Sequence, residues 1–595
     1  MEVLTEGFLG LSKYARSLIF SFLRVRDISS LLFVNKKARS FALEFFQENR
    51  SIKIQKYDTQ RITKENVVKN LFKTFPYLQI LKINAFNFST ECLQYLPRTL
   101  VYLNLLNCEE YLLLKTEFYL NIQQRLSKGL RELHVEYNKS LSRNFPIEEN
   151  PYLPSILEEF AKQMTHLESI TVWAISPENH QYHFKSLNNL IFYTFYAHSK
   201  SLTTVNFNNL VVSQDTLMTN TKITNIKVKT VEGTFIDPQF GQQIFGINDE
   251  TMTFLTYHFP HIENLSLCDF SMSYRKVISD NVLLNFVLKN SSLKTLYLNS
   301  YSYKFHLSEI TILQTVSTLS SLRCLGIASC KNFQLGNIAS VTPNLFSVRE
   351  LNLDFTDIDD YSIQLASELF GKLRTISLKC CKKISEEGFN FLTQRLINLE
   401  GCNFKYNINF GSTALQNLIY YSKKLRKLKL ANNYISNKDI TSVFEYTHNI
   451  KELVLCSMND SDQFTSDCFF DLVNSKLLQA PSFWKIKSID LSNNAYIKDQ
   501  TIIDLTKLNL INLCFLSLQD CTNLTVESFI KIAFSCFGPK LIELNFCIQK
   551  VEIDLQVFKI CKPKFRKLAT LDLYETSIHN NLAKNYYEIN FFLKP

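Results

Sequence analysis

The sequence predicts an α/β solenoid, a stack of short parallel strands on one face and helices on the other, and three observations carry that expectation. The phrase L-x-x-L-x-L-x-x-C/N recurs with starts at Leu373, Leu399 and Leu425. From Leu322 to Ile450 successive starts lie 25 or 26 residues apart, and a fixed period of that size marks a stacked-repeat architecture. Between phrases, capping signatures open apolar helical faces: Ser436-Asn-Lys-Asp439 precedes Ile440, Val443 and Phe444, and Ser385-Glu-Glu-Gly-Phe389 and Thr525-Val-Glu-Ser-Phe529 begin alike.

The phrase has a physical reading. Side chains alternate across a strand, so the spaced Leu and Ile positions face a shared core while the residues between them face solvent. The Cys or Asn that follows closes the turn, where its side chain is expected to satisfy backbone groups of the next coil. An isolated repeat cannot bury its apolar face, so stacking is obligatory. The pattern resembles leucine-rich repeats, and its spacing resembles their cysteine-containing class. That resemblance implies a horseshoe with strands on the concave face and helices on the convex face.

Residues 1–60 are of a different kind. Apolar residues recur at helical spacing through Ile19, Phe20 and Leu23, break near Arg24 to Arg26, and resume behind Asp27, which is placed to cap a second short helix. The string Leu11-x7-Ile-Phe-Ser-Phe-Leu-x3-Asp-Ile-x2-Leu-x2-Val-Asn-Lys resembles an F-box and covers Leu11 to about Phe46. It departs from the usual pattern at Ser12 (commonly Pro), Tyr14 (acidic), Arg16 and Ser17 (apolar) and Ala38 (Trp). The resemblance implies a small all-α domain that docks onto the Skp-type adaptor, and through it the cullin, of a ubiquitin ligase. Leu11, Ile19, Phe20, Leu23, Ile28, Leu31 and Val34 would form the adaptor side. An amphipathic cap shielding the first repeat is the other reading of the same residues.

Phrase starts then follow at Leu78, Leu100, Leu130, Leu167, Leu202, Ile223, Ile262, Leu293, Leu322, Val348, Leu373, Leu399, Leu425, Ile450, Ile486, Leu513, Leu541 and Leu568. Residues 61–261 read as irregular repeats, with insertions or degraded repeats at 136–166 and 229–261. Residues 262–595 read as regular repeats closed by a cap in which Tyr586, Tyr587, Phe591 and Phe592 cover the last coil. A further insertion at Cys456 to Lys485 is acidic early on, through Asp460, Asp462, Asp467 and Asp471.

Composition narrows the function classes. A hydrophobic fraction of 46% over 595 residues suits one long solenoid. The balance of 65 basic against 55 acidic residues leaves +10 without a long like-charge run, too diffuse to indicate nucleic acid. Fifteen cysteines fall mostly at repeat positions or apolar faces, as Cys330, Cys381, Cys402, Cys456, Cys514 and Cys521 do, and read as small buried thiols. With an acidic start and no apolar run of roughly 18 residues, no membrane contact is expected, and the expected location is cytoplasmic or nuclear.

No catalytic constellation emerges. Gly233, Gly241 and Gly246 fit neither a phosphate loop nor a dinucleotide pattern, and His180, His183, His258, His261 and Cys268 lack paired metal-ligand spacing. The expectation is a non-catalytic protein without metal or cofactor. About eighteen strands stacked ~4.8 Å apart would give a concave arc on the order of 85 Å, long enough for a protein partner. On that face Lys379 and Lys405 share a column, with Lys427 and Lys429 on the next coil. Four ammonium groups within about 15 Å make a positive strip suited to an acidic or phosphorylated protein segment; a solvated lysine face is the plain alternative. Tyr297 and Asn299 offer an aromatic anchor farther toward the N-terminus.

Together these features suggest the substrate-recognition subunit of a Skp-cullin-F-box type ubiquitin ligase. A non-ligase repeat scaffold, favoured by the departures at Ser12, Arg16, Ser17 and Ala38, and a regulatory inhibitor acting by protein binding stand as alternatives.

Overall fold

The computed structural model describes residues 51–54, 77–84, 90–109, 115–138, 152–175, 201–206, 228–235, 249–269, 278–300, 307–330, 347–458, 464–474, 485–546, 555–565 and 570–572, with a few single positions between them. The F-box-like string, including Leu11, Ile19, Phe20, Leu23, Ile28, Leu31 and Val34, lies outside the described residues, as do the C-terminal aromatics. Residues Met1–Arg275 form one compact unit and Lys276–Pro595 a second.

In the first unit the described strands run from Ser51–Ile54 and Ile80–Asn84 to Thr230–Phe235 and Asn264–Asp269, each parallel to the one before it in sequence. In the second, described strands from Thr295–Ser300 to Thr570–Asp572 pair in the same way. Parallel neighbours need a crossover connection, and most of these crossovers are helices of about three turns. The register keeps one apolar column unbroken, through Leu351, Ile376, Cys402, Leu428, Leu453 and Ile489, all at most 3% exposed. Each such side chain contributes about 1.5–3 kcal/mol by leaving water.

The helices start where the caps say they should. Ser436 and Asp439 form a complete capping box at the helix Asn437–Tyr446, whose Ile440, Val443 and Phe444 are buried. Ser385 Oγ accepts from the Gly388 amide and Thr525 Oγ1 from that of Glu527. Helix and strand then share aromatic packing, as where Phe389 stands edge-on to Phe404 and Phe410.

Several expectations need correction. The sixth phrase starts at Val228 and not Ile223, because Val231 is the residue that pairs with Val205 and Leu265. The stretch Ile223 to Val231 carries two overlapping apolar alternations, and the neighbouring strands select the later one. Of the two readings of segments 136–166 and 229–261, insertions or degraded repeats, the second fits, since they hold the helix Leu153–Gln163, the strand Thr230–Phe235 and the helix Asp249–His258. Within Cys456 to Lys485, the helix Phe470–Asn474 packs as a repeat helix: Phe464, Cys468, Phe469 and Leu472 are fully buried while Asp467 and Asp471 face solvent. Asp460 and Asp462 lie outside the described residues. The strand Ser51–Ile54 falls within residues 1–60, so the sheet begins ahead of residue 60.

Candidate partner-binding surface

The turns after eight successive strands of the second unit, from Cys324–Gly326 to Phe515–Ser517, follow one rule. The residue seven positions beyond the phrase start has positive φ there: Ser329, Phe355, Cys380, Tyr406, Asn432, Ser457, Asn493 and Asp520 lie between 50° and 66°. The left-handed turn aims each amide at the following coil, so Phe355 N donates to Lys379 O at 2.7 Å and Tyr406 N to Ala431 O at 2.6 Å. The next residue is the Cys or Asn of the phrase in six of the eight, with Thr356 and Met458 in the other two. Asn407 Oδ1 accepts from Cys381 N at 2.8 Å, and its Nδ2 donates to Leu378 O at 2.7 Å and Phe404 O at 3.1 Å. Asn494 repeats this with Met458 N, Leu455 O and Leu491 O, and Cys381 and Cys521 donate to Leu353 O and Leu491 O. These bonds reach the preceding coil, not the next one as expected from the sequence. The described residues of this unit thus form stacked strand–turn–helix repeats.

Comparison with solved structures finds matches of low similarity. One is the crystal structure of an internalin (InlF) from Listeria monocytogenes, 20% identical, covering 49% of this chain and 71% of that one with a TM-score of 0.32. Another is the crystal structure of the Rad7 and Elc1 complex in yeast, 13% identical, covering 82% of this chain and 95% of the matched chain with a TM-score of 0.33. No family model matches the chain, and no curated protein matches it.

On the face of the sheet away from the helices, the repeats bring the four lysines together in two different settings. Lys427 and Lys429 share one strand and one partner: Glu452 on the adjacent strand lies 3.4 Å from the first ammonium and 2.6 Å from the second. Burial would raise the Glu452 carboxyl, but the hydrogen bond and charge of Lys429, with Lys427 beside it, hold it below its ordinary value. Lys379 and Lys405 occupy the column expected of them, since Cys380 N donates to Lys405 O at 2.9 Å. Lys379 Nζ lies 5.0 Å from the Phe355 ring centre and 5.3 Å from that of Tyr406. Lys405 lies beside the Cys456 thiol, which burial raises and the ammonium partly lowers.

Acidic groups are interleaved. Asp354, 3% exposed, accepts from Ser377 Oγ at 2.5 Å and from Lys379 N at 2.7 Å. Burial raises its carboxyl above the ordinary value, and these bonds offset that only in part. Tyr297 is tied down: its hydroxyl donates to Glu350 at 2.9 Å, and its ring crosses Gly326, where an added Cβ would come within 2.1 Å of it. Gly326 is therefore required for that close approach.

Other expected features sit elsewhere. Cys381 and Cys521 are buried thiols, and burial pushes both up to about 12. Cys514 is only partly covered. His258 is buried against Phe254, and no metal-ligating cluster occurs among the described residues. No described helix is long and apolar enough to cross a membrane. The Phe355 and Tyr406 rings are the components that sequence reasoning missed: the phrase offers no glycine or consistent residue type to signal a left-handed turn there.

Proposed function

We propose that this chain is the substrate-recognition subunit of a Skp-cullin-F-box type ubiquitin ligase. A protein substrate would lie on the uncovered face of the repeat sheet, and a Skp-type adaptor and cullin would be held through residues 11–46. The observation that supports substrate binding is the division of labour within each strand. The apolar column fixes the fold, while Asn403, Lys429 and, beyond the buried Val454, Asp490, with Lys427, Glu452 and Ser488 beside them, stand in register on the free face. Those residues can vary without disturbing the core.

The mechanism is tethering. One end holds the ligase and the sheet holds the substrate, which raises the local concentration of substrate lysines at the conjugating enzyme. The chain contributes no catalytic step of its own and needs no cofactor. Lys427 and Lys429 share the single carboxylate of Glu452, so that pair carries one positive charge more than its partner neutralises. An acidic or phosphorylated segment of the substrate complements that surplus.

The test is affinity purification of the intact chain beside a chain beginning at Gln47, which keeps the strand Ser51–Ile54. Recovery of adaptor and cullin with the intact chain alone is the expected result. Their absence from both would sink the receptor reading and favour a scaffold.

A further inference from the structure

We propose that the rim of the sheet carries a groove for an extended acidic peptide, seated across the left-handed turns. This deepens the reading of a partner-binding solenoid and rests on it. A cavity of about 500 Å³ is lined by four successive coils, from Phe355 at one end to Asn432 at the other. Three intervals of ~4.8 Å make it about 14 Å long, the span of roughly four extended residues. A free anion would use a fraction of that length.

The charge of the lining selects the occupant. Lys379 and Lys382 both line the groove, and none of its lining residues is acidic. Tyr406 and Ile408, 37% and 56% exposed, form an apolar wall beside them. The fitting segment therefore alternates carboxylate side chains, which meet the two ammonium groups, with an apolar or aromatic side chain against Tyr406 and Ile408. Asn432 adds a carboxamide able to pair with peptide backbone.

The backbone supplies an independent observation. Phe355 and Tyr406 hold φ of 59° and 60°, a region that bulky side chains adopt rarely and glycine or asparagine adopt readily. Asn432 shows that the same turn forms with an easier residue. The rings at 355 and 406 are thus not needed to make the turn. What they do is flank Lys379 from both sides and keep its ammonium at the groove wall, where it meets an incoming carboxylate.

Fluorescence anisotropy on the full chain tests this, using a labelled Asp-Phe-Asp-Phe-Asp peptide with a Lys-for-Asp peptide as control. Saturable binding of the acidic probe alone is expected, weakened about tenfold or more by Lys379→Gln with Lys382→Gln. Tyr406→Gly, which the left-handed backbone accepts, is expected to weaken it comparably while the unfolding midpoint holds. No binding, binding unchanged in both variants, or complete displacement by inorganic phosphate at the probe's own concentration would overturn the proposal, the last by showing a simple anion site. Adaptor capture is read separately through residues 11–46. Its loss with probe binding retained overturns the receptor reading and leaves the groove.

Discussion

Asn407 shows how much one side chain does in this fold. Its carboxamide uses its acceptor on the Cys381 amide and its donors on the carbonyls of Leu378 and Phe404, all in a site that is 2% exposed. Asn407→Ala would leave the Cys381 amide and the Leu378 carbonyl buried without this partner, while Phe404 O keeps the Asn433 carboxamide, and about 2–3 kcal/mol of stability is expected to go with the two. Urea unfolding would measure this as a lower midpoint at an unchanged slope. Asn407→Asp should be worse than Ala, because it removes both donors and buries a charge. The role of this position was legible in the sequence because Cys or Asn recurs there in six of the eight coils from Leu322 to Leu513. The direction of its bonds was not legible, since the phrase repeats identically toward both neighbours. Nor was the left-handed residue before it, because the long-range amide bonds impose that conformation on Phe, Tyr, Cys and Ser alike.

At the scale of elements, the strands Lys427–Ala431 and Glu452–Cys456 join through a carboxylate bridging two ammonium groups. Glu452 has a folded-state value below its unfolded one. Its contribution to stability is therefore present above the unfolded value and is lost as pH falls through the lowered one. Glu452→Gln is expected to flatten the stability profile in that acid window relative to the parent chain, with little difference in slope near neutrality. Denaturant midpoints followed from neutral pH down to about pH 3 would show it. The same change releases Lys427 and Lys429 for an acidic partner. Helices were the most legible elements: Ser436 and Asp439 announce a capping box, and the structure contains it. Strand identity at Val228 was the least legible, because two alternations overlap and only the neighbouring strands decide between them.

Across the whole molecule, the period was clearest where coils are of even length, from Leu322 to Ile450, and faded where a coil carries extra residues, as after Cys456. Length hides a repeat from the eye without removing its helix from the stack. The cysteines offer a global readout of that stack. Cys536 is exposed, whereas Cys381, Cys402 and Cys521 are buried with thiols raised by burial. In native buffer a maleimide is expected to label Cys536 first, and the buried three only as coils open. Mass spectrometry after a labelling series in denaturant would check this; early labelling of Cys402 would contradict the packing.

The row of left-handed turns has one further consequence. Because a buried side chain and a cross-coil amide hold such a turn in place, an exposed side chain at its tip, as at Tyr406, has no duty in the core. Such positions behave like a keyboard mounted on a fixed frame. Phe355 and Tyr406 can be exchanged for other residues, coil by coil, altering what the rim displays while the sheet beneath stays as it is.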